Sequence, residues 1–389
     1  MRRAAAALAS LLAAGLASSA GAAPASASVV GNGTPAGCTS AAVVAAVAKG
    51  GTISFDCGPG AVTIDMAQTA KVVNTSPSVV LNGGGKVTLS GQGAERILYM
   101  NTCDRKQRWT TSHCQQQSTP KLVIENMTFQ DGDSRGDGQT GGGAVYAFGG
   151  RLTIQNSTFV DNRCAAVSGP EVGGGAVAAL WQDHQAAVKI SGSHFTGNVC
   201  DNGGAGGGGG AVFSSQNRLT ITGSTFGSNR CAPTGPDVGG AAVRAYVMNA
   251  PVIVTGSRFS GNVCSNGGAL SSIDASWTVK HSRFTGNQAI GTGANPPAKG
   301  TPGGGSGGAI YNDGNKMHLS LVDSTLKDNS ANEGGGAIFF VSNNRTGTLS
   351  ITGSRLVGNP NQGFQTPGLP GIYFLGAHRP TVRNSVIKP

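Results

Sequence analysis

One acidic segment of the chain has the composition of a metal-binding loop. Residues 131–137 read DGDSRGD, and Asp161 stands one repeat later at the position of Asp131. Clustered carboxylate oxygens can bind Ca²⁺, although Arg135 stands where an EF-type loop would need a ligand. A solvated Asp/Gly turn is the alternative. The candidate ligands for calcium, the one cofactor that the sequence suggests, are Asp131, Asp133, Asp137 and Asp161.

A second group of acids could act on a glycosidic bond. Asp274 and Asp313 each follow a Gly-Gly-Ala phrase, and they fall in neighbouring repeats. Two carboxyl groups at a suitable separation supply the general acid and the base of glycoside cleavage. The two offsets differ by one residue, and Asp313-Gly314 is a common turn sequence, so ordinary turn residues are the alternative.

The segment that begins at Trp181 places an acid, Asp183, next to the imidazole of His184. Adjacent residues of a strand point to opposite faces. We therefore do not expect Asp183 and His184 to act as a pair.

These side chains must be positioned by a phrase that recurs along most of the chain. An anchor of the form Phe-x-x-Asn, with Leu for Phe in the last two copies, recurs at intervals of 25 to 42 residues. Its copies are Phe159/Asn162, Phe195/Asn198, Phe226/Asn229, Phe259/Asn262, Phe284/Asn287, Leu326/Asn329 and Leu356/Asn359. Gly-Gly-Ala recurs at 142–144, 174–176, 209–211, 267–269, 307–309 and 335–337. A fixed phrase with loops of variable length is typical of a solenoid, whose repeats bury their apolar faces against one another.

The apolar residues of each repeat alternate with polar ones, as at Leu152/Ile154 and Leu219/Ile221. Period two indicates strands. The phenylalanine should point inward, and the asparagine should stand at a corner. Asparagine tolerates a left-handed backbone, and its amide can bond to the same amide one coil away. Three short strands per turn, each paired with the next coil, predict a parallel β-helix with a strand spacing of about 4.8 Å.

The pairing of Phe-x-x-Asn with Gly-Gly-Ala-Ile is similar to the repeats of chlamydial polymorphic outer-membrane proteins. The wider pattern resembles the right-handed, pectate-lyase-like β-helix superfamily. This resemblance covers residues 50–389, and it implies an all-β, right-handed parallel β-helix. It implies no single activity, since the superfamily contains lyases, hydrolases, esterases, adhesins and phage tailspikes.

The residue after the inward Val or Ile of each repeat should point outward, and these residues should form a column. Exposed aromatic rings beside an arginine can stack on sugars or dock a partner. The expected binding face consists of Tyr146, Phe213, Arg244, Tyr311 and Phe339, with Ala178 and Ser271 between them. The alternative is that a long loop covers the column, and residues 289–306 are the candidate cover.

Four of the eight cysteines occupy one repeat position. Cys164, Cys200, Cys231 and Cys264 each lie two residues after the corner asparagine. The same position in adjacent coils is one strand spacing apart, which is within reach of a disulfide. We predict the pairs Cys164–Cys200 and Cys231–Cys264, with a central Cys200–Cys231 bridge as the alternative.

The other four cysteines suggest two local bridges, Cys38–Cys57 and Cys103–Cys114. The first would hold a helix from Thr39 to Lys49, capped by Thr39 or Ser40, over the open end of the core. An even number of cysteines in a secreted chain favours bridges over metal-binding or catalytic thiols.

The N-terminus reads as an export signal. Residues 1–27 combine Arg2-Arg3 with an apolar run and small residues, which is typical of a cleaved secretory signal. We divide the chain into this signal, an N-terminal segment with the cap helix at 28–49, and the solenoid at 50–389. No later segment is apolar enough to cross a membrane as a helix.

The formal net charge of +10 favours acidic partners such as uronic-acid polysaccharides or cell-wall polymers. A general effect on solubility is the alternative. The basic residues are scattered and no nucleic-acid-binding motif is present, so nucleic acid is not an expected partner. The sequence favours a secreted or cell-surface protein that binds extracellular polysaccharide, or another macromolecule, without catalysis. A polysaccharide lyase or glycoside hydrolase is the alternative.

Overall fold

A computed structural model describes residues 27–108, 111–136, 141–164, 172–201, 204, 206–235, 237–292 and 303–389. Corresponding strands of successive coils pair with one another in parallel. The protein is therefore a parallel β-helix, as predicted. Each full coil runs from sheet A to sheet B, through a short strand of sheet D where one is present, and then to sheet C.

The described strands are numbered β1 to β39 in chain order. Sheet A consists of β1 Ala27–Gly31, β2 Gly51–Asp56, β5 Ser78–Asn82, β8 Lys121–Glu125, β11 Arg151–Gln155, β15 Ala187–Ser191, β19 Arg218–Thr222, β23 Val252–Thr255, β27 Trp277–Lys280, β31 His318–Val322, β35 Thr348–Thr352 and β38 Thr381–Arg383. Sheet B consists of β3 Val62–Asp65, β6 Val87–Ser90, β9 Thr128–Gln130, β12 Thr158–Val160, β16 His194–Thr196, β20 Thr225–Gly227, β24 Arg258–Ser260, β28 Arg283–Thr285, β32 Thr325–Lys327, β36 Arg355–Val357 and β39 Val386–Lys388.

Sheet C consists of β4 Ala70–Lys71, β7 Leu98–Asn101, β10 Val145–Phe148, β14 Val177–Leu180, β18 Val212–Ser215, β22 Val243–Tyr246, β26 Leu270–Ile273, β30 Ile310–Gly314, β34 Ile338–Ser342 and β37 Ile372–Leu375. Sheet D consists of β13 Arg163–Cys164, β17 Val199–Cys200, β21 Arg230–Cys231, β25 Val263–Cys264, β29 Gln288–Ala289 and β33 Ser330–Ala331. One α-helix, α1 Ser40–Lys49, precedes β2.

The alternation of apolar and polar residues fills the core with side chains from every coil. In β11, Leu152 and Ile154 are buried, whereas Arg151 faces solvent. The anchor phenylalanines stack on one another along the axis, as in the 4.7 Å separation between the ring centroids of Phe159 and Phe195. Each fully buried ring contributes roughly 1.5–3 kcal/mol by its removal from water.

The anchor asparagines form the predicted amide ladder inside the coil. Nδ2 of Asn198 donates to Oδ1 of Asn229 at 2.9 Å and to the carbonyl of Phe159 at 3.0 Å. The predicted left-handed backbone at these asparagines is wrong. It lies one residue earlier, at Asp161 with φ 53° and at Ser228 with φ 54°. The asparagine amide is fixed inside by its ladder, so the reversal of the chain falls on the preceding residue.

The Gly-Gly-Ala phrase permits the close approach of backbones that its sequence predicts. Gly174 has a φ of +79°, and a Cβ atom there would overlap the carbonyl oxygen of Val177. A Cβ atom on Gly175 would overlap the carbonyl oxygen of Gly210 in the next coil. Both glycines are therefore needed before β14.

The cap helix covers the N-terminal end of the core. The hydroxyl of Thr39 accepts a hydrogen bond from the backbone N–H of Ala42 at 3.2 Å, which settles the choice between Thr39 and Ser40. Val43 and Val47 are buried in the same cluster as the strand side chains. The sequence did not indicate β1, because this strand lacks the repeat phrase, yet it extends sheet A by pairing with β2.

All four predicted disulfides are confirmed: Cys38–Cys57, Cys103–Cys114, Cys164–Cys200 and Cys231–Cys264. The two bridges in sheet D each join Cα atoms 4.7 Å apart. Cys200 also lies opposite Cys231 in the ladder. The alternative pairing was thus compatible with the register, but the structure contains the two predicted pairs.

The predicted signal peptide lies outside the described residues except for Ala27, the first residue of β1. Within the described part of the chain, no helix has the length and apolar character needed to span a bilayer.

Candidate functional site

The side chains predicted to form the binding face lie in one column of sheet C. From coil to coil the register runs through Tyr146, Ala178, Phe213, Arg244, Ser271, Tyr311 and Phe339. Tyr146 and Phe213 belong to an apolar cluster that is separate from the main core. The column therefore points away from the core, as predicted.

The predicted exposure of this column is wrong. Its buried members include Tyr146, Phe213, Arg244 and Tyr311, and Phe339 is half-buried. The glycine-rich segment before a strand of sheet C packs on the side chains of the following coil. Gly173, before β14, lies so close to the ring of Phe213 that a Cβ atom would overlap it. A polymer cannot stack on the buried rings in this arrangement. Residues 293–302 of the predicted cover, 289–306, lie outside the described residues.

Hydrogen bonds from Arg244 and Tyr311 join sheet C to one of the glycine-rich segments that cover the column. Arg244 donates to the carbonyl of Asp237, which lies in the segment before β22, and to the hydroxyl of Ser271. The hydroxyl of Tyr311 donates to Asp237 at 3.3 Å and lies 3.2 Å from a carboxylate oxygen of Asp313. Burial lowers the pKa of Arg244 to about 10 and raises the pKa of Tyr311.

Asp274 and Asp313 lie in adjacent coils, and the backbone N–H of Asp274 donates to the carbonyl of Asp313 at 2.9 Å, but their carboxylates have separate partners. Oδ1 of Asp274 accepts from the backbone N–H of Asn315 at 2.8 Å. Oδ2 of Asp313 contacts the hydroxyl of Tyr311. Burial, and then the charge of Asp237, raises the pKa of Asp313. The charge that acts on Asp313 is thus that of Asp237, and a catalytic pairing of Asp274 with Asp313 stays a prediction.

The predicted calcium ligands are described only in part, since Asp137 lies outside the described residues. Asp133 is buried, and its Oδ2 accepts from Nε of Arg135 at 2.7 Å. Burial and the neighbouring Asp161 raise the pKa of Asp131. The described residues contain no group of three or more His, Cys, Asp or Glu side chains that could hold a metal. Calcium binding stays a prediction.

A groove of about 610 Å³ crosses the outer surface of sheet A. Its cationic side chains, which define it as the basic groove, are Lys121, Arg151, Lys189 and Arg218. Lys121 lies directly beside Arg151 in the ladder between β8 and β11. Like charges in that position destabilise a sheet. Among the described lining residues the only carboxylate is that of Asp183, which forms an ion pair with Arg151. The groove therefore has an excess of positive charge.

The basic groove is bordered by a long corner between β14 and β15. This corner has six residues, 181–186, whereas the corners before β11 and β19 have two residues each. Trp181 is 37% exposed. Trp181, His184 and Gln185 have φ values of 48°, 41° and 60°. Such values are uncommon outside glycine, and strained residues cluster at functional sites.

Asp183 and His184 form a pair within this corner, contrary to the sequence interpretation. Oδ1 of Asp183 is 2.6 Å from Nδ1 of His184, and its Oδ2 accepts from Nη2 of Arg151 at 2.8 Å. Burial acts to raise the pKa of Asp183, but the hydrogen bonds from Arg151 and His184 outweigh it, so the pKa is lowered. The interpretation failed because the segment is a turn with a left-handed His184, not a strand. The buried carboxylate orients an exposed imidazole.

The basic groove was not predicted from the sequence, although a signal was present. The residue before the first inward leucine is basic in three repeats, at Lys121, Arg151 and Arg218. These residues are separated by 30 and by 67 positions, so their proximity follows only when the strands are aligned by repeat. The extra residues of the corner at 181–186 were a second signal.

Comparison with known proteins identifies one type of repeat. The family model described as Chlamydia polymorphic membrane protein (Chlamydia_PMP) repeat matches residues 281–313 and 323–341. The matched segments contain the anchors Phe284/Asn287 and Leu326/Asn329 with their Gly-Gly-Ala phrases. No curated protein and no solved structure matches the chain. The matched repeats, the parallel sheets and the disulfides are consistent with the β-helical body of an extracellular or surface protein.

Proposed function

We propose that this protein is a secreted or cell-surface β-helix that binds an acidic polysaccharide in the basic groove. The observation that carries the proposal is the set of four cationic side chains facing a single carboxylate beside the exposed Trp181. The basic groove takes the place of the aromatic column of sheet C as the proposed binding site, because most rings of that column are buried.

The chemistry of the groove suits a polymer with carboxylates. Arg218 can bind a carboxylate through two parallel hydrogen bonds, and Lys121 and Lys189 supply point charges. Ion-pair partners for these three side chains are absent among the described residues. Successive coils are about 4.8 Å apart. Lys121, Arg151 and Arg218 lie in one row along the axis that an extended polymer could follow, with Ala187 between the two arginines. Lys189 lies two residues further along its strand. Trp181 does not line the groove but stands in the corner that borders it.

Retention on an immobilised polyuronate, compared with neutral dextran, tests the proposal. The double variant Lys189→Ala/Arg218→Ala should lower the affinity for polyuronate by about tenfold or more, because a charge-assisted hydrogen bond contributes about 1.5 kcal/mol or more. Added salt should weaken the retention of the wild type. The matched control is Arg258→Ala/Arg283→Ala, which removes the same number of charges from sheet B. Equal losses in both double variants, or no retention by the wild type, would contradict the proposal.

An enzyme that acts on the same polymer is the second candidate, and Asp183–His184 is the observation that favours it. A buried carboxylate that orients an exposed imidazole is a common arrangement for a general base. New reducing ends or unsaturated ends released from polyuronate would establish an enzyme. Their loss in His184→Ala would place the activity at the corner, and their loss in Asp274→Asn or Asp313→Asn would place it at the predicted acid pair. Retention without any product supports binding alone.

A further inference from the structure

A second concave site lies on the other side of the Trp181 corner. It has a volume of about 240 Å³ and adjoins the basic groove, since His184 and Gln185 line both. We call it the amide pocket, because its lining side chains include Gln115, Gln116, Gln185, Gln216 and Asn249 around Trp181. None of the described lining residues carries a fixed charge. The amide pocket therefore differs in chemistry from its neighbour.

One amide in the lining has an unused acceptor. Gln182 is only 2% exposed. Its Nε2 donates to the carbonyls of Ala147, Gly149 and Leu180 at 3.3, 3.1 and 3.2 Å. Its Oε1 has no partner among the described residues. A buried acceptor without a partner is unfavourable. Oε1 is itself shielded from solvent, so a hydroxyl or amide N–H of a ligand could reach it only if the surrounding side chains moved.

The wall of the amide pocket is held in place by other parts of the fold. Gln115 and Gln116 belong to the short 3-10 turn Cys114–Gln116, which the bridge to Cys103 anchors. On the opposite wall, Nδ2 of Asn249 donates to Oε1 of Gln216 at 3.2 Å. Side chains that are already positioned lose little freedom when a ligand binds.

The combination of an indole surface with several amides matches an uncharged sugar. Amides both donate and accept, as sugar hydroxyls do, and the face of Trp181 can pack on the apolar face of a ring. The volume is below the 300 Å³ or so at which pockets for larger ligands begin, which suits a single ring.

We infer that the amide pocket is a subsite for one neutral sugar, next to the acidic sugar held in the basic groove. The inference rests on the proposed function and specifies its ligand. The ligand is a mixed polymer, in which acidic sugars stand beside neutral or N-acetylated sugars, and not a polymer of uronate alone.

Three probes test this inference: hyaluronan, in which uronate alternates with an N-acetylated hexosamine, polygalacturonate, which contains uronate only, and neutral dextran. We expect the wild type to bind hyaluronan more tightly than polygalacturonate per uronate. The Gln216→Ala and Asn249→Ala variants should lose about tenfold in affinity for hyaluronan, with little change for polygalacturonate. Gln288→Ala, at an exposed glutamine of sheet D, is the matched control and should change neither affinity.

Two results would overturn the subsite while leaving the proposed function intact. One is equal wild-type affinity for hyaluronan and polygalacturonate. The other is an equal loss for both polymers in Gln216→Ala and Asn249→Ala, which would indicate a disturbed corner. Binding of neither acidic polymer by the wild type would overturn the proposed function and the subsite together.

Discussion

At the scale of single residues, the buried carboxylate of Asp183 holds two neighbouring side chains in position. Its two carboxylate oxygens serve different partners, Arg151 on the neighbouring strand and His184 on the same turn. The carboxylate therefore links the wall of the basic groove to the exposed imidazole at its rim.

The Asp183→Asn variant should lose a pH-dependent part of the free energy of unfolding. The pKa of Asp183 is lower in the folded chain than its usual value of 3.8. The ionised carboxylate thus stabilises the fold at pH values above 3.8, and this contribution is lost as the pH falls through the folded pKa. Urea unfolding of both proteins at neutral pH and in acid should show a difference that shrinks in acid. An equal difference at both pH values would rule out the ion pair as its cause, and Asp65→Asn, at an exposed acid, serves as the control.

The residues of this corner also show where reading the sequence was insufficient. The adjacency of Asp183 and His184 was evident, but their interaction depends on the left-handed backbone of His184. That conformation is uncommon outside glycine, although histidine adopts it more often than most residues. The carboxylate that pairs with His184 is also bound by Arg151, which lies 32 residues before Asp183 in the sequence.

At the scale of elements, the amide ladder joins the coils through buried polar groups. Asn229 accepts from Nδ2 of Asn198 and donates to Oδ1 of Asn262, each at 2.9 Å. We expect Asn229→Ala to lower the free energy of unfolding by about 2–3 kcal/mol, because it leaves buried groups of both neighbours without partners. Chemical denaturation measures the change. Asn315→Ala, at an exposed asparagine, should be nearly neutral, and a similar small effect at Asn229 would contradict the ladder's role.

The stacked phenylalanines and asparagines could be predicted from the sequence, because their spacing is the same within every repeat. Phe159 and Phe195 stand in register, and their asparagines follow at the same spacing. The burial of Phe213 could not be read in the same way, because its cover is the backbone of Gly173 in the preceding coil. The pattern of a strand shows which side chains leave the core, but it does not show what packs on them afterwards.

At the scale of the whole molecule, the disulfides have two different roles. Some join one coil to another, whereas one fixes a wall of the amide pocket. Cys231–Cys264 joins two coils and closes a loop with a sequence separation of 33, whereas Cys103–Cys114 fixes the excursion that carries Gln115 and Gln116. The two bridges should therefore affect different properties of the protein.

We expect Cys231→Ser/Cys264→Ser to lower the free energy of unfolding by about 3 kcal/mol, since the unfolded chain gains freedom. Cys103→Ser/Cys114→Ser should instead reduce the preference for hyaluronan over polygalacturonate while sheet A still binds uronate. Denaturation and the two binding assays, performed on both variants, distinguish these effects. An unchanged preference in the second variant would show that the bridge does not shape the amide pocket.

The six-residue corner between β14 and β15 has a consequence for how such a protein can diversify. The strands on both sides keep their register with neighbouring coils although the corner has four more residues than those before β11 and β19. Insertion at a corner therefore leaves the ladders of phenylalanine and asparagine undisturbed. A lineage could exchange one corner for another and alter the surface around the groove, while selection for a stable body acts on separate residues.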